Sequence, residues 1–162
     1  MKTRVLIFSD THTDVAGMER VINESKGIDI ILHLGDHARD AKRLSMLTQR
    51  NILAVLGNND RFDEDAPEER VVEVNGFNIY MTHGHLVSAS NRLEDLTKFA
   101  KEKGCSVALF GHSHVFESGI RNGVLYLNPG AVFRPRGDGI KSYAILTLEE
   151  GKAPLVERKR LS

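Results

Sequence analysis

The sequence predicts an α/β fold that begins with a largely parallel sheet and ends in antiparallel hairpins. Three continuous apolar runs, at residues 5–8, 28–34 and 52–56, are typical of strands that are buried on both faces of a parallel sheet. Apolar residues at helical spacing separate these runs. Beyond residue 70, apolar segments meet at Asn-Gly pairs, which favour tight antiparallel hairpins.

The first third of the chain is predicted to follow the order β-α-β-α-β. Asp14 is a suitable N-cap for the first helix, whose apolar residues share one face until Gly27 ends it. Residues 38–49 repeat this spacing through Ala41 and Leu44, and they predict a second helix.

The rest of the chain is predicted to be mostly β-structure with one helix. Asn75-Gly76 predicts a type I′ turn, and the charged, Gly- and Pro-containing residues 134–139 predict a long mobile loop. Because no linker or repeat interrupts the chain, we expect a single domain over residues 1–162. The remaining elements are a hairpin at 71–74 and 77–81, a helix at 91–103, a buried strand at 107–110, and hairpins at 116–121 with 124–127 and 143–148 with 155–160.

Composition excludes several classes of protein. The 22 Lys and Arg residues balance 22 Asp and Glu residues, so no global field attracts nucleic acid or an anionic membrane. The single cysteine, Cys105, cannot form a disulfide framework, which predicts a reduced, cytoplasmic setting. No segment approaches the roughly 18 apolar residues of a membrane span.

Five short polar clusters follow apolar runs, and six of the seven histidines lie within them. Carboxylate, imidazole and amide oxygen are ligands for divalent ions, and the carboxyl ends of strands bring distant loops together in α/β folds. Taken singly, each cluster is also compatible with a helix cap or a turn, but together they predict a two-metal hydrolytic site. The clusters are Asp10-Thr11-His12, Gly35-Asp36-His37, Gly57-Asn58-Asn59-Asp60, His83-Gly84-His85 and Gly111-His112-Ser113-His114.

In this order the clusters resemble the motifs of the calcineurin-like metallophosphoesterase superfamily, and the small size resembles its YfcE-type phosphodiesterase branch. The resemblance spans residue 5 to about residue 136 and implies a four-layer α/β/β/α sandwich of two mixed sheets flanked by helices. It implies one metal held by Asp10, His12 and His114. It implies a second held by Asn58, His83 and His112, with Asp36 bridging both.

Other residues receive predicted roles with open alternatives. The family often has histidine after the ligand asparagine; here Asn59 stands there, and an amide cannot deliver a proton. We expect Asn59 to bind phosphate and His85 or His37 to substitute as proton donor or substrate-binding group, although His37 is equally compatible with a solvent-facing position. Arg134 and Arg136 are candidates to bind a substrate phosphate or are solvated loop charges. His33 is predicted to pack rather than bind metal, and residues 128–130 to form a structural turn.

The sequence therefore predicts a binuclear metal-dependent phosphodiesterase acting on a small phosphodiester. Two cations can activate hydroxide between them and neutralise phosphoryl oxygens, so no nucleophilic serine or cysteine is needed. Mn²⁺ is the expected ion, and Ni²⁺, Fe or Zn²⁺ suit the same ligands. A metal-poor interaction scaffold, like a retromer subunit that resembles the family, is the alternative, and a nuclease is a further one. A homo-oligomer is left open.

Overall fold

Two five-stranded sheets and three helices build the structure, a computed structural model that describes residues 1–60 and 66–161. The strands are β1 (Lys2–Phe8), β2 (Ile30–His33), β3 (Ile52–Ala54), β4 (Glu69–Val74), β5 (Phe77–Thr82), β6 (Val107–Leu109), β7 (Phe116–Arg121), β8 (Val124–Pro129), β9 (Ser142–Glu149) and β10 (Leu155–Arg160). The helices are α1 (Ala16–Glu24), α2 (Arg39–Thr48) and α3 (Arg92–Glu102).

Both sheets are mixed. The first has the order β10-β9-β1-β2-β3, with β1, β2 and β3 parallel and β9 antiparallel to β1. The second has the order β4-β5-β6-β8-β7, with β5, β6 and β8 parallel. The parallel start and the hairpins of the sequence prediction are confirmed, including the positive φ angles at Asn75 and Gly76 that a type I′ turn requires.

Successive side chains of a strand point to opposite faces of its sheet, and apolar side chains on these faces form three apolar layers. Val5 and Ile7 point into the core between the two sheets, where they join Ile79 and Met81 of β5. Leu6 and Phe8, on the opposite face of β1, pack with α1 and α2. Helix α3 covers the second sheet in a separate cluster. The order of layers is therefore helix, sheet, sheet, helix, which confirms the predicted four-layer sandwich.

Two local details differ from or complete the sequence prediction. Asp14 is not an N-cap, because the cap position is Val15 and the carboxylate of Asp14 instead pairs with Lys141 at 3.3 Å. Residues 134–139 form neither helix nor strand, as predicted. Within the described residues, no helix is long and apolar enough to cross a membrane.

Candidate metal centre

The five polar clusters converge because each follows a strand that ends at the same side of the sandwich. Two backbone hydrogen bonds join neighbouring loops: Asp10 N donates to Gly35 O at 3.0 Å, and Gly111 N donates to His83 O at 2.9 Å. These two bonds join loops within each sheet, and the hydrogen bond from Nδ1 of His83 to Leu34 O at 2.7 Å joins the loops of the second sheet to those of the first. The side chains predicted from distant parts of the sequence lie together.

Asp10, His12, Asp36 and His114 form the first group. One ligand atom from each residue lies within 4.8 Å of the others. Oδ1 of Asp10 is 3.2 Å from Nε2 of His114, and Oδ2 of Asp36 is 3.9 Å from Nε2 of His12. Two buried carboxylates and two imidazoles therefore surround a volume suited to a divalent ion.

The second predicted group adjoins the first through Asp36. Nε2 of His83 lies 3.5 Å from Oδ1 of Asp36 and 3.8 Å from Oδ1 of Asp10. The ring of His112 is 5.1 Å from that of His83, and Asn58 is exposed on the cleft that His112 also lines. Asp36 turns one oxygen toward each group, which is the orientation a bridging carboxylate needs.

Unpaired buried atoms show that these side chains fit a cation. Oδ1 of Asp10 and Nε2 of His83 are buried and have no hydrogen-bond partner among the described residues. Nδ1 of His83 donates to Leu34 O at 2.7 Å, and Nδ1 of His114 donates to Arg134 O at 2.9 Å. When the ring of His83 is neutral, its Nε2 therefore carries a lone pair, and that atom faces oxygens of Asp10 and Asp36. Buried acceptors facing one another are costly unless a cation lies between them.

The electrostatics also favour ligand forms of these groups. Burial acts to raise the pKa of Asp10, but the contacts with His114 and His83 outweigh it and hold that pKa below its usual value. Burial lowers the pKa of His12 and of His112. Contact with the Asp10 carboxylate raises the pKa of His114. The lowered pKa of Asp10 thus favours an ionised carboxylate, and the lowered pKa values of His12 and His112 favour neutral imidazoles.

Asp60 organises two of the loops that carry predicted metal ligands, a role that the sequence analysis did not assign. Its Oδ1 accepts hydrogen bonds from the backbone N–H groups of His37 at 2.6 Å and Ala38 at 3.0 Å, and its Oδ2 accepts one from Gly57 at 2.8 Å. The buried carboxylate thereby holds, from a different loop, the two residues that precede α2. A Cβ on Gly57 would collide with Asp36, so only glycine permits this approach.

A buried hydrogen-bonded chain fixes the loop that carries Asp10 and His12. Gly35 N donates to Nδ1 of His33, so Nε2 of His33 donates to Thr11 Oγ1 at 3.0 Å. Thr11 Oγ1 donates in turn to Oδ2 of Asp40 at 2.5 Å. His33 therefore packs and bonds within the core, as predicted. A buried histidine inside an apolar strand was the sequence signal for such a network.

The predicted catalytic residues lie at the edge of the metal groups. Asn59 donates from its side-chain amide to Oδ2 of Asp36 at 2.8 Å and from its backbone N–H to Oδ1 at 3.1 Å. The half-buried ring of His85 lies 5.6 Å from His83, and that of His37 lies 4.7 Å from His12. Asn59 thus contacts a predicted ligand directly, whereas the two histidines flank predicted ligands.

A cleft of about 630 Å³ opens over the metal groups. It contains Arg134 and Arg136 but neither His37 nor His85 among its described lining. Asn128 is buried beside it and donates to Gly111 O at 3.1 Å and to Ser113 Oγ at 3.0 Å, so Asn128 supports the loop of His112 and His114. The predicted turn at 128–130 is wrong for Asn128 and Pro129, because β8 continues through Pro129. The described lining is His12, Asp36, Asn58, Asn59, Ala89, Arg92, His112, Ser113, His114, Phe133, Arg134, Pro135 and Arg136.

The sandwich and its clustered carboxylates and imidazoles define a protein of the α/β/β/α class with a candidate metal site. The chain belongs to the calcineurin-like phosphoesterase superfamily, because the model of that superfamily's domain matches residues 3–151. It is 33% identical to the probable metallophosphoesterase YsnB of Bacillus subtilis over 150 residues, which is 92% of this chain and 86% of that protein. It is 27% identical to phosphodiesterase YfcE of Escherichia coli over 168 residues, with coverage of 88% and 86%.

A solved structure supports the same relationship. A predicted phosphoesterase from Streptococcus pneumoniae is 28% identical and superposes with a TM-score of 0.80. The match covers 99% of this chain and 98% of that one. The expected superfamily and its fold are therefore confirmed.

Proposed function

We propose that the chain is a phosphodiesterase that binds two divalent transition-metal ions and hydrolyses small phosphodiesters. The observation that carries the proposal is the set of buried, unpaired Oδ1 of Asp10 and Nε2 of His83, which lie 3.8 Å apart beside Asp36. Membership of the phosphoesterase superfamily and the likeness to a phosphodiesterase support the reaction class.

The proposed ligand sets follow the two groups that meet at Asp36. Asp10, His12 and His114 would hold one ion. Asn58, His83 and His112 would hold the other, and Asp36 would be shared between them. Such ions would lower the pKa of water and neutralise charge on a phosphoryl group. Ser9 Oγ donates to Oδ2 of Asp10 at 2.7 Å, which orients the other carboxylate oxygen toward the site.

The remaining roles concern substrate and protons. Asn59 has no acidic proton, so it orients Asp36 and donates a hydrogen bond to bound phosphate rather than protonating the leaving group. His85 is the proposed proton donor, and His37 and Arg136 are proposed substrate-binding residues. Asn59 cannot protonate the leaving group and burial lowers the pKa of His85, so esters whose leaving group departs as a stable anion should be the better substrates.

The decisive experiment combines metal analysis with turnover of bis(4-nitrophenyl) phosphate. We expect two ions per chain and hydrolysis in the wild type, and loss of both in Asp36→Asn. Asp29→Asn is the matched control, because Asp29 is exposed and accepts one backbone hydrogen bond from Arg4 at 2.8 Å. An Asp36→Asn protein with two ions and full turnover would remove the bridging role.

The same experiment, with linear DNA added as a second substrate, separates the alternatives. A metal-loaded wild type without turnover would favour the interaction scaffold, and cleavage of linear DNA in preference to small diesters would favour the nuclease. We also propose that Mn²⁺ is the working ion, that residues 1–162 act as one domain, and that the protein is cytoplasmic. Metal-specific reconstitution with Mn²⁺, Ni²⁺, Fe²⁺ and Zn²⁺ tests the first of these.

A further inference from the structure

Residues 133–136 form one wall of the cleft and are anchored to the metal-binding loops. Phe133 N donates to Asp10 O at 3.1 Å, and Arg136 N donates to His114 O at 2.8 Å. Between them, Arg134 O accepts the hydrogen bond from Nδ1 of His114. Because three hydrogen bonds join this wall to two predicted metal ligands, the backbone of residues 133–136 is fixed relative to the predicted metal site.

The wall carries positive charge that the described residues do not neutralise. Arg134 and Arg136 are exposed, and neither has a carboxylate partner within residues 1–60 and 66–161. The nearest acid along the chain, Asp138, is occupied by the guanidinium of Arg158 through hydrogen bonds of 2.6 and 3.1 Å. Among the described residues that line the cleft, Asp36 carries the only carboxylate.

Phe133 supports one of these arginines. The guanidinium of Arg134 lies 5.2 Å from the centre of the Phe133 ring, within the range of a cation–π contact. The same ring lies 5.2 Å from the ring of His12. The aromatic side chain thus connects the predicted metal ligand to the arginine, which limits the freedom that a solvated arginine would otherwise have.

We propose that Arg134 and Arg136 form a subsite for a second phosphate group, so that the preferred substrate is a small phosphodiester carrying another phosphate beyond the scissile one. The subsite rests on the proposed function, since the scissile group binds at the ions. Guanidinium groups match phosphate geometry with paired hydrogen bonds, and a cleft of about 630 Å³ lies within the roughly 300 to 1,000 Å³ of small-molecule sites. The balanced total charge argues for a small substrate rather than a nucleic acid.

The test compares thymidine 5′-(4-nitrophenyl phosphate) with the same compound bearing a 3′-phosphate. Both release the same leaving group, so the ratio of their kcat/KM values isolates the second phosphate. We expect metal-loaded wild type to favour the bisphosphate about tenfold at low salt, and Arg134→Gln and Arg136→Gln each to reduce the ratio roughly fivefold. Arg43→Gln, an exposed arginine of α2 outside the cleft, should leave the ratio unchanged.

Calorimetric binding of thymidine 3′,5′-bisphosphate and thymidine 5′-phosphate separates this proposal from the proposed function. Preference for the bisphosphate that falls in both arginine variants upholds the subsite even if no substrate is hydrolysed. Turnover of both esters with a wild-type ratio near one overturns the subsite and leaves the phosphodiesterase intact. Equal losses on both esters in the variants also overturn it, because the arginines would then contact the scissile phosphate. Tighter binding of a thymidine oligonucleotide than of the bisphosphate would overturn the small-substrate assignment.

Discussion

Acidification should destabilise the protein through His33, which is completely buried in the first sheet. Burial lowers the pKa of His33 from 6.5 to about 4 and outweighs the opposing charges of Asp10 and Asp40. The unfolded chain binds a proton near pH 6.5, whereas the native state excludes it until about pH 4. The contribution of neutral His33 is therefore fully present above pH 6.5 and is lost progressively as the pH falls to about 4. Its full size is about 3 kcal/mol, at about 1.4 kcal/mol per pH unit.

The assay is urea unfolding of metal-free wild type and His33→Asn between pH 7.5 and pH 4.5. Asparagine keeps an acceptor for Gly35 N but does not titrate. We expect the variant to be less stable at pH 7.5, because the bond to Thr11 and the packing against Phe8 are lost. The difference between their free energies of unfolding should be smaller by about 2 to 3 kcal/mol at pH 4.5 than at pH 7.5, because both proteins share all other titrating groups. Parallel stability curves would refute the reasoning.

Three further predictions concern the metal and its surroundings. Chelation should lower the melting temperature by about 5 to 10 °C if the ion is present at about 100 times its Kd, and an unchanged curve after verified metal removal would contradict a filled site. Asp60→Ala should cost about 3 kcal/mol in urea unfolding because three backbone N–H groups lose their acceptor, whereas Asp29→Ala should cost less than about 1 kcal/mol. Equal costs would exclude the role of Asp60 in joining the two loops. Asn59→His should speed hydrolysis of esters with poor leaving groups more than of those with good ones. Parallel plots of rate against leaving-group pKa for wild type and variant would show that Asn59 does not limit proton delivery, which would then come from His85 or solvent.

Local patterns predicted the helices and strands well, because continuous apolar runs and apolar residues at helical spacing can be recognised within short stretches of sequence. The run at 5–8 appears as the end of β1, and Asn75-Gly76 forms the predicted turn. The pairing of β9 with β1 could not be predicted in this way, because it joins Ile7 to Ala144 across most of the chain. Such a pairing depends on which edge of the sheet is left free, and no local pattern records that.

In the candidate site, the side chains that converge were predictable from the sequence, whereas the contacts that support them were not. Aspartate and histidine directly after apolar strands identified the groups that converge, because strand ends determine where such side chains lie. The supporting contacts were not predictable, since Asp60 bonds to backbone groups about twenty residues away and Asp40 bonds to Thr11. Asp14 is a residue for which the local pattern was misleading. Its sequence position suits a helix cap, but a turn from Thr11 to Asp14 precedes the helix, and Val15 occupies the N-cap position.

The candidate centre lies across the boundary between the two sheets. The first sheet supplies Asp10, His12, Asp36 and Asn58, and the second supplies His83, His112 and His114. The approaches of Asp10 to His114 and of Asp36 to His83 both cross that boundary. Bound ions would therefore cross-link the two halves of the sandwich, and a fragment containing either sheet alone would hold an incomplete ligand set. Metal binding would then report on the packing of the two sheets. During refolding, the protein should bind metal only after the second sheet has packed against the first.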